Sequence, residues 1–343
     1  MNLENLFLKA VEAGASDLHL IAGLPPYVRV DGALKPLEKK ALSAKDIELM
    51  IKGIIDENKQ KKFAIEKELD LAYESSDGSR FRINLHFEKG NMGLSARTIP
   101  PKIPTMEDIG MPQVAFDLCN MEAGLILLTG PTGCGKSTSL AAMIDYINRS
   151  RSLNIITLED PIEFIFTPNK SIIRQRQLGT DMSTFQGGLI HVLRQDPNVI
   201  MVGEMRDLDT IATTITLAET GHLVFATLHT YNASQTIDRI IDIFPPYQQN
   251  QVRMQISMTL KGIIAQKLLP KEGGGRVAAR EVLINNSAVS NLIRENKVSQ
   301  IRTAIQTSAK EGMISMDNAL LKLYKEGAIS KEILDGNIST PRT

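Results

Sequence analysis

Residues 125–147 read LILLTGPTGCGKSTSLAAMIDYI, and the reading of this stretch decides the fold. An apolar run, Leu125 to Thr129, meets a glycine-rich loop, and Leu140, Met143, Ile144 and Ile147 then recur at helical spacing. Strand, loop and helix in that order are the context in which the pattern GxxxxGK[ST] acquires chemical meaning. Here Gly130, Pro131, Thr132, Gly133, Cys134, Gly135, Lys136 and Ser137 fill it, and Thr138 follows. Glycines let backbone N–H groups curl around phosphate oxygens, and a helix N-terminus adds partial positive charge. In such a loop the lysine, Lys136, reaches the β- and γ-phosphates, and the hydroxyl of Ser137 ligates Mg²⁺. The expectation is an ATP and Mg²⁺ site.

Outward from this loop, NIITL (154–158), NVIMVG (198–203) and HLVFATL (222–228) are further continuous apolar runs separated by helical stretches. Runs of that kind are buried on both faces, and their alternation with helices predicts a parallel sheet covered on both sides. Ligands of open α/β sheets collect beyond the carboxyl ends of the strands. Two acid clusters fall there: Glu159, Asp160 and Glu163 in ITLEDPIEF (156–164), and Glu204 in NVIMVGEMRD (198–207). Hydrolysis of a bound nucleotide needs an acid for the metal and a base to orient water, so the clusters are the candidates for both. His222 and His229 stand at the two ends of HLVFATLH, with His229 at the carboxyl edge. It reads either as a hydrogen-bonded packing residue or as a sensor of the γ-phosphate.

The first hundred residues have a different texture. Leu3, Leu6, Phe7, Ala10 and Val11 predict an amphipathic helix, SDLHLI (16–21) a half-buried strand, and AKDIELMIKGIIDENKQKKFA (44–64) helix. ELDLAYE and RFRINLHF flank the turn-rich SSDGS and predict an antiparallel hairpin. In its second arm Phe81, Ile83, Leu85 and Phe87 share one face and Arg80, Arg82, Asn84 and His86 the other. This is a small α+β domain, expected over 1–97. Pro100, Pro101, Pro104 and Pro112 then mark 98–112 as a linker and hinge. The domain carrying the phosphate loop is expected over 113–343, mostly helical from about 247 apart from a glycine loop and strand in KEGGGRVAAREVLI (271–284).

The bulk numbers agree with two domains: the chain has 343 residues, 43% of them hydrophobic and 23% charged. Lysine plus arginine equals aspartate plus glutamate at 39 each, so the chain carries no overall basic field for nucleic acid or anionic membrane. An aromatic and basic stripe is also missing, which speaks against a nucleic-acid translocase. The apolar runs are far short of the roughly 20 residues of a membrane span, and the N-terminus lacks the pattern of a signal peptide. A cytoplasmic protein is expected. Cys119 and Cys134 have neither the spacing of a zinc knuckle nor that of a disulfide framework.

Taken in order, GPTGCGKST, TLEDPIEF, LRQDPNVIMVGEMRD and LAETGHLVFATLHTYNA resemble the Walker A, aspartate, atypical Walker B and histidine boxes of the type II/IV secretion ATPase superfamily. SDLHL, RFRINLHF and ARTIP extend the resemblance over nearly the whole chain. It implies a PAS-like N-terminal domain and a RecA-like P-loop ATPase domain. Glu163 would be the general base, Glu204 the Walker B acid acting through Mg²⁺, and Glu159 and Asp160 supports of the metal and water shell. His229 would sense the γ-phosphate, and Arg80, Arg82 and Arg97 would approach the phosphates when the domains close. Within the superfamily the chain is similar to the pilus retraction ATPases. AVSNLIRENK, from Ala288, resembles their AIRNLIRE motif, departing at Ser290, where that pattern has arginine. Assembly and secretion members carry a long N-terminal region and a tetracysteine zinc insert, whereas here no cysteine follows Cys134. The resemblance further implies a homo-hexamer at the inner-membrane base of a type IV pilus, docked on the platform protein there. The alternatives are a pilus-extension or secretion ATPase and a regulatory nucleotide-binding paralogue without motor output.

Overall fold

The computed structural model describes residues 2–30, 32–99 and 102–338. The chain forms two compact units, one of Met1–Lys102 with Pro161–Ile165, the other of Ile103–Asp160 and Phe166–Thr343.

In the first unit β1 (Asp17–Leu20), β2 (Tyr27–Val30), β3 (Ala33–Pro36), β4 (Glu68–Glu74), β5 (Arg80–Glu88) and β6 (Asn91–Ile99) pair antiparallel in the order β3-β2-β1-β6-β5-β4. Side chains alternate across this sheet, so Leu18, Leu20, Phe81, Ile83 and Leu85 are buried on one face. Helices α1 (Leu3–Glu12), α2 (Ala44–Lys52) and α3 (Glu57–Glu66) cover that face, and Phe7 of α1 stacks on Phe81 with ring centroids 4.3 Å apart. Each fully buried aromatic here contributes on the order of 1.5–3 kcal/mol. An antiparallel sheet with helices on one face is the small α+β domain expected for this part of the chain. The single helical stretch expected over 44–64 is two helices. Gly53 closes α2, and the Asp56 side chain caps α3 by accepting from Lys59 N, so the break is written by local capping.

In the second unit β7 (Gly124–Thr129), β8 (Asn154–Glu159), β9 (Ile172–Gln177), β10 (Val199–Val202), β11 (Leu223–Leu228), β12 (Leu260–Pro270) and β13 (Arg276–Ile284) are ordered β13-β12-β7-β11-β10-β8-β9. All neighbours are parallel except β12 and β13. The four apolar runs are β7, β8, β10 and β11, buried along almost every residue, which is the RecA-like arrangement. Between strands the chain crosses through α4 (Gln113–Cys119), α5 (Lys136–Ser150), α6 (Phe185–Val192), α7 (Leu208–Glu219), α8 (Ala233–Asp242) and α9 (Pro246–Thr259). After β13 come α10 (Ser287–Arg294), α11 (Ile301–Thr307), α12 (Met316–Lys325) and α13 (Lys331–Asp335).

The region beyond 247 departs from the helical expectation at 260–270. β12 starts directly after α9 and joins the central sheet beside the phosphate-loop strand β7. The linker expected at 98–112 is partly structured. Thr98 and Ile99 end β6, Pro100 and Pro101 lie outside the described residues, and Met106 and Met111 are buried in the second unit.

Candidate active site

The phosphate loop runs from the end of β7 into α5. Gly130 has φ 143° and Gly135, the residue before the helix, φ 88°, both in the region that favours glycine. α5 has no side-chain cap, so its first-turn N–H groups face a ligand position without a competing acceptor of that kind. Lys136 is buried, and its Nζ donates to the carbonyls of Gly130 at 2.6 Å and Pro131 at 3.1 Å. The ammonium is thereby stored inside the curl of its own loop. Ser137 is exposed on the first turn and Thr138 is half-buried beside it.

A chain of polar contacts then runs along the carboxyl edge of the sheet. Thr132 Oγ1 lies 3.5 Å from His229 Nδ1, and His229 Nε2 lies 3.1 Å from Glu204 Oε1. The other Glu204 oxygen accepts from Arg206 Nη2 at 3.0 Å, and Arg206 Nη1 stands 3.7 Å from Asp160 Oδ2. Four separate loops, those after β7, β8, β10 and β11, are joined through five side chains. Glu204 is held from both sides, which presets the orientation of its carboxylate. The chain unites Thr132, His229, Glu204 and Asp160 with Arg206, a residue the motif reading passed over although it lies inside GEMRD.

Glu159 sits deeper, 6% exposed, at the end of β8. Its Oε1 accepts from Thr157 Oγ1 at 2.6 Å and from Gln175 Nε2 at 3.1 Å, and the Gln175 side-chain Oε1 accepts from Phe166 N at 2.9 Å. Thr157 and Gln175 were not legible as site residues, because their partners are on a neighbouring strand or two residues away in an ordinary β alternation. Glu163 belongs to the first unit with Arg80, Arg82 and Arg97. Arg80 Nη1 donates to the Glu163 carbonyl at 3.4 Å and Arg97 Nε pairs with Asp17 at 3.0 Å, while Arg82 is exposed.

Below the phosphate loop is a second set that the motifs do not contain. Gln266, Arg280 and Ser139 are buried and hydrogen-bonded to one another. Burial pushes Arg280 down to about 10, so it stays a cation at neutral pH, and burial also raises the Cys134 thiol above its ordinary range. In the helical region Ser290, the departure from the AIRNLIRE pattern, donates to the Ser257 carbonyl at 2.8 Å and ties α10 to α9.

A nucleotide cradle, a fixed acid beyond a buried parallel strand and a RecA-like sheet together define a P-loop ATPase. Residues 105–273 match the family model described as type II/IV secretion system protein. The chain is 45% identical to the type IV pilus retractation ATPase PilT of Pseudomonas aeruginosa, over 97% of this chain and 96% of that protein. It is 42% identical to a twitching motility protein of Neisseria gonorrhoeae, over 91% of this chain and 84% of that one. A crystal structure of the pilus retraction motor PilT with bound ADP superimposes with a TM-score of 0.91 at 46% identity, covering 99% of this chain and 98% of that one. The chain belongs to the PilT family of type II/IV secretion ATPases.

Proposed function

We propose that this chain is the ATP-hydrolysing motor that powers type IV pilus retraction, and with it twitching motility, working as a homo-hexamer. The observation that carries the reading is the 45% identity to a retraction ATPase across 97% of the chain, both units included. Among the described residues no helix is long and apolar enough to cross a membrane, and attachment to the pilus base through partners such as the inner-membrane platform protein is part of the proposal. The same proposal includes a cytoplasmic site at that base, with 98–112 as the segment about which the 1–97 and 113–343 domains move.

The roles proposed for the residues rest on their position in the motifs and on the chemistry of the edge. The backbone of 130–138 and Lys136 bind the polyphosphate. Ser137 and Glu204 offer hard oxygen donors of the kind Mg²⁺ takes, and Asp160 and Glu159 add negative charge nearby, so the residues fit that ion. When bound, Mg²⁺ neutralises charge on the β- and γ-phosphate oxygens. Glu163 orients and deprotonates the attacking water, His229 reports the γ-phosphate to Glu204, and Arg80, Arg82 and Arg97 supply cations during the cycle.

Deletion of the gene followed by imaging of surface pili tests the proposal. Excess filaments that do not retract support it. Bald cells point to pilus extension, and unchanged retraction to a regulatory role.

A further inference from the structure

The peptide between Cys134 and Gly135 is held from behind. Gln266 Nε2 donates to the Cys134 carbonyl at 2.5 Å. In a trans peptide the C=O and the following N–H point in opposite directions. Drawing the Cys134 carbonyl toward β12 therefore turns the Gly135 N–H away from β12, toward the mouth of the phosphate loop. Room for this arrangement exists because residue 135 is glycine: a Cβ there would stand 2.9 Å from Gln266 Nε2.

The direction of the Gln266 amide is itself determined. Its Oε1 accepts from Ser139 Oγ at 2.8 Å and from Arg280 Nε at 3.0 Å. Arg280 stands directly across from Gln266 on β13 and is only 6% exposed. An amide turned over would present its NH₂ to the guanidinium, donor against donor, so Arg280 selects the orientation that leaves Nε2 for the Cys134 carbonyl. Arg280 is anchored in turn, its Nη1 donating to the Ile109 carbonyl at 2.9 Å and the Gly110 carbonyl at 3.1 Å, its Nη2 to Ser139 Oγ at 3.4 Å. All of these partners are neutral acceptors. Among the described residues the guanidinium has no carboxylate partner, so its donors go to these neutral acceptors.

We propose that Gln266 and Arg280 are positioning residues of the phosphate loop: Arg280 orients the Gln266 amide, and Gln266 sets the Cys134–Gly135 peptide so that its N–H binds the nucleotide β-phosphate. The proposal rests on residues 130–138 being the phosphate cradle. It also connects the cradle to the carbonyls of Ile109 and Gly110, the end of the linker segment, through one arginine.

The test is nucleotide affinity of the full chain, read with fluorescent ADP and AMP analogues, together with steady-state ATP hydrolysis. Gln266→Met keeps the length of the side chain and removes both the donor to the Cys134 carbonyl and the acceptor for Ser139 and Arg280. The expected result is ADP affinity weakened about tenfold, the scale of one hydrogen bond to a charged group. AMP, which has no β-phosphate, binds as to the wild type, and this comparison separates the role from the lower melting temperature expected when Arg280 Nε and Ser139 Oγ lose their buried acceptor. Because the contact is present in ground and transition states alike, KM rises about tenfold while kcat is nearly constant. ADP affinity within twofold of wild type, or an equal loss for AMP, overturns the role. Should Gln266→Met fail to fold, Arg280→Lys decides: it keeps the charge but not the fork, so ADP affinity falls about threefold with AMP unchanged, and an unaltered ADP affinity overturns the proposal. Lys136→Ala is measured alongside. Loss of ADP binding there with wild-type binding in Gln266→Met overturns the positioning role alone, whereas wild-type ADP binding by Lys136→Ala overturns the cradle reading and the positioning role with it.

Discussion

Three carboxylates fall within five positions of sequence from the last residue of β8, and their surroundings separate them. Glu159 is buried against Thr157 and Gln175, Asp160 faces Arg206, and Glu163 falls in the segment grouped with the first unit. Replacing Thr157 by valine, which has the same shape, removes a 2.6 Å hydrogen bond to a buried carboxylate. A loss of about 1.5–3 kcal/mol in urea unfolding is expected, with nucleotide affinity little changed. A stability loss under half a kcal/mol would mean that Glu159 is adequately held without the threonine. Glu163→Gln has a different expected signature: ATP still binds, and turnover falls on the order of 10²-fold or more. Undiminished steady-state hydrolysis would remove Glu163 from the base role. At this scale Lys136 is marked by the spacing of its motif and Glu204 and His229 by their places beyond the carboxyl ends of apolar runs, with His229 legible either as a packing residue or as a sensor. Gln175, Gln266 and Arg280 carry no such mark, because each acts on a partner brought to it by strand pairing, whereas Arg206 stands inside GEMRD, two residues from Glu204.

Elements meet in a similar way at Glu281 on β13, where one carboxylate serves two helix N-termini. Its Oε1 accepts from Ala233 N, the first residue of α8, at 2.9 Å, and its Oε2 from Met316 N, the first residue of α12, at 3.4 Å. Both helix dipoles favour the anion, yet burial outweighs them and raises the Glu281 pKa above its ordinary 4.5. A folded state that binds the proton more tightly than the unfolded chain loses stability as pH rises from the ordinary value through the raised one. Glu281→Gln, which imitates the protonated form, lacks that loss. Stability of the wild type relative to the variant is therefore expected to fall by up to about 1.4 kcal/mol per pH unit in that window and then level off. Chemical unfolding of both proteins from pH 4 upward checks it, and a difference rising with pH would mean that the charged form is the one the fold prefers. β13 was legible as a strand, whereas its partner β12 was not. Leu260, Ile263, Ile264 and Leu268 recur at helical intervals, and a short apolar run buried on both faces cannot be told from a buried helix by periodicity. No turn residue separates β12 from α9, so the usual punctuation was missing as well. The misreading mattered for the site, because Gln266 lies on that strand.

For the whole molecule, composition and texture were enough to separate a small α+β unit from a RecA-like one, since a two-residue alternation gives way to continuous apolar runs near residue 124. Assembly is a different matter, because ring contacts leave no periodic mark in one chain. Hydrolysis itself supplies the test. If the motor is a hexamer whose sites are completed by assembly, specific activity measured at saturating ATP rises steeply with protein concentration and saturates as rings fill, as expected when the active form is an oligomer governed by mass action. A chain that hydrolyses ATP as a monomer gives a specific activity independent of concentration. Lys136→Ala subunits, expected to lose nucleotide binding and to keep the fold, sharpen the comparison. Mixed into wild-type protein at a fixed total, they reduce activity more than in proportion to their fraction if sites fire in a coupled ring, and strictly in proportion if each subunit works alone.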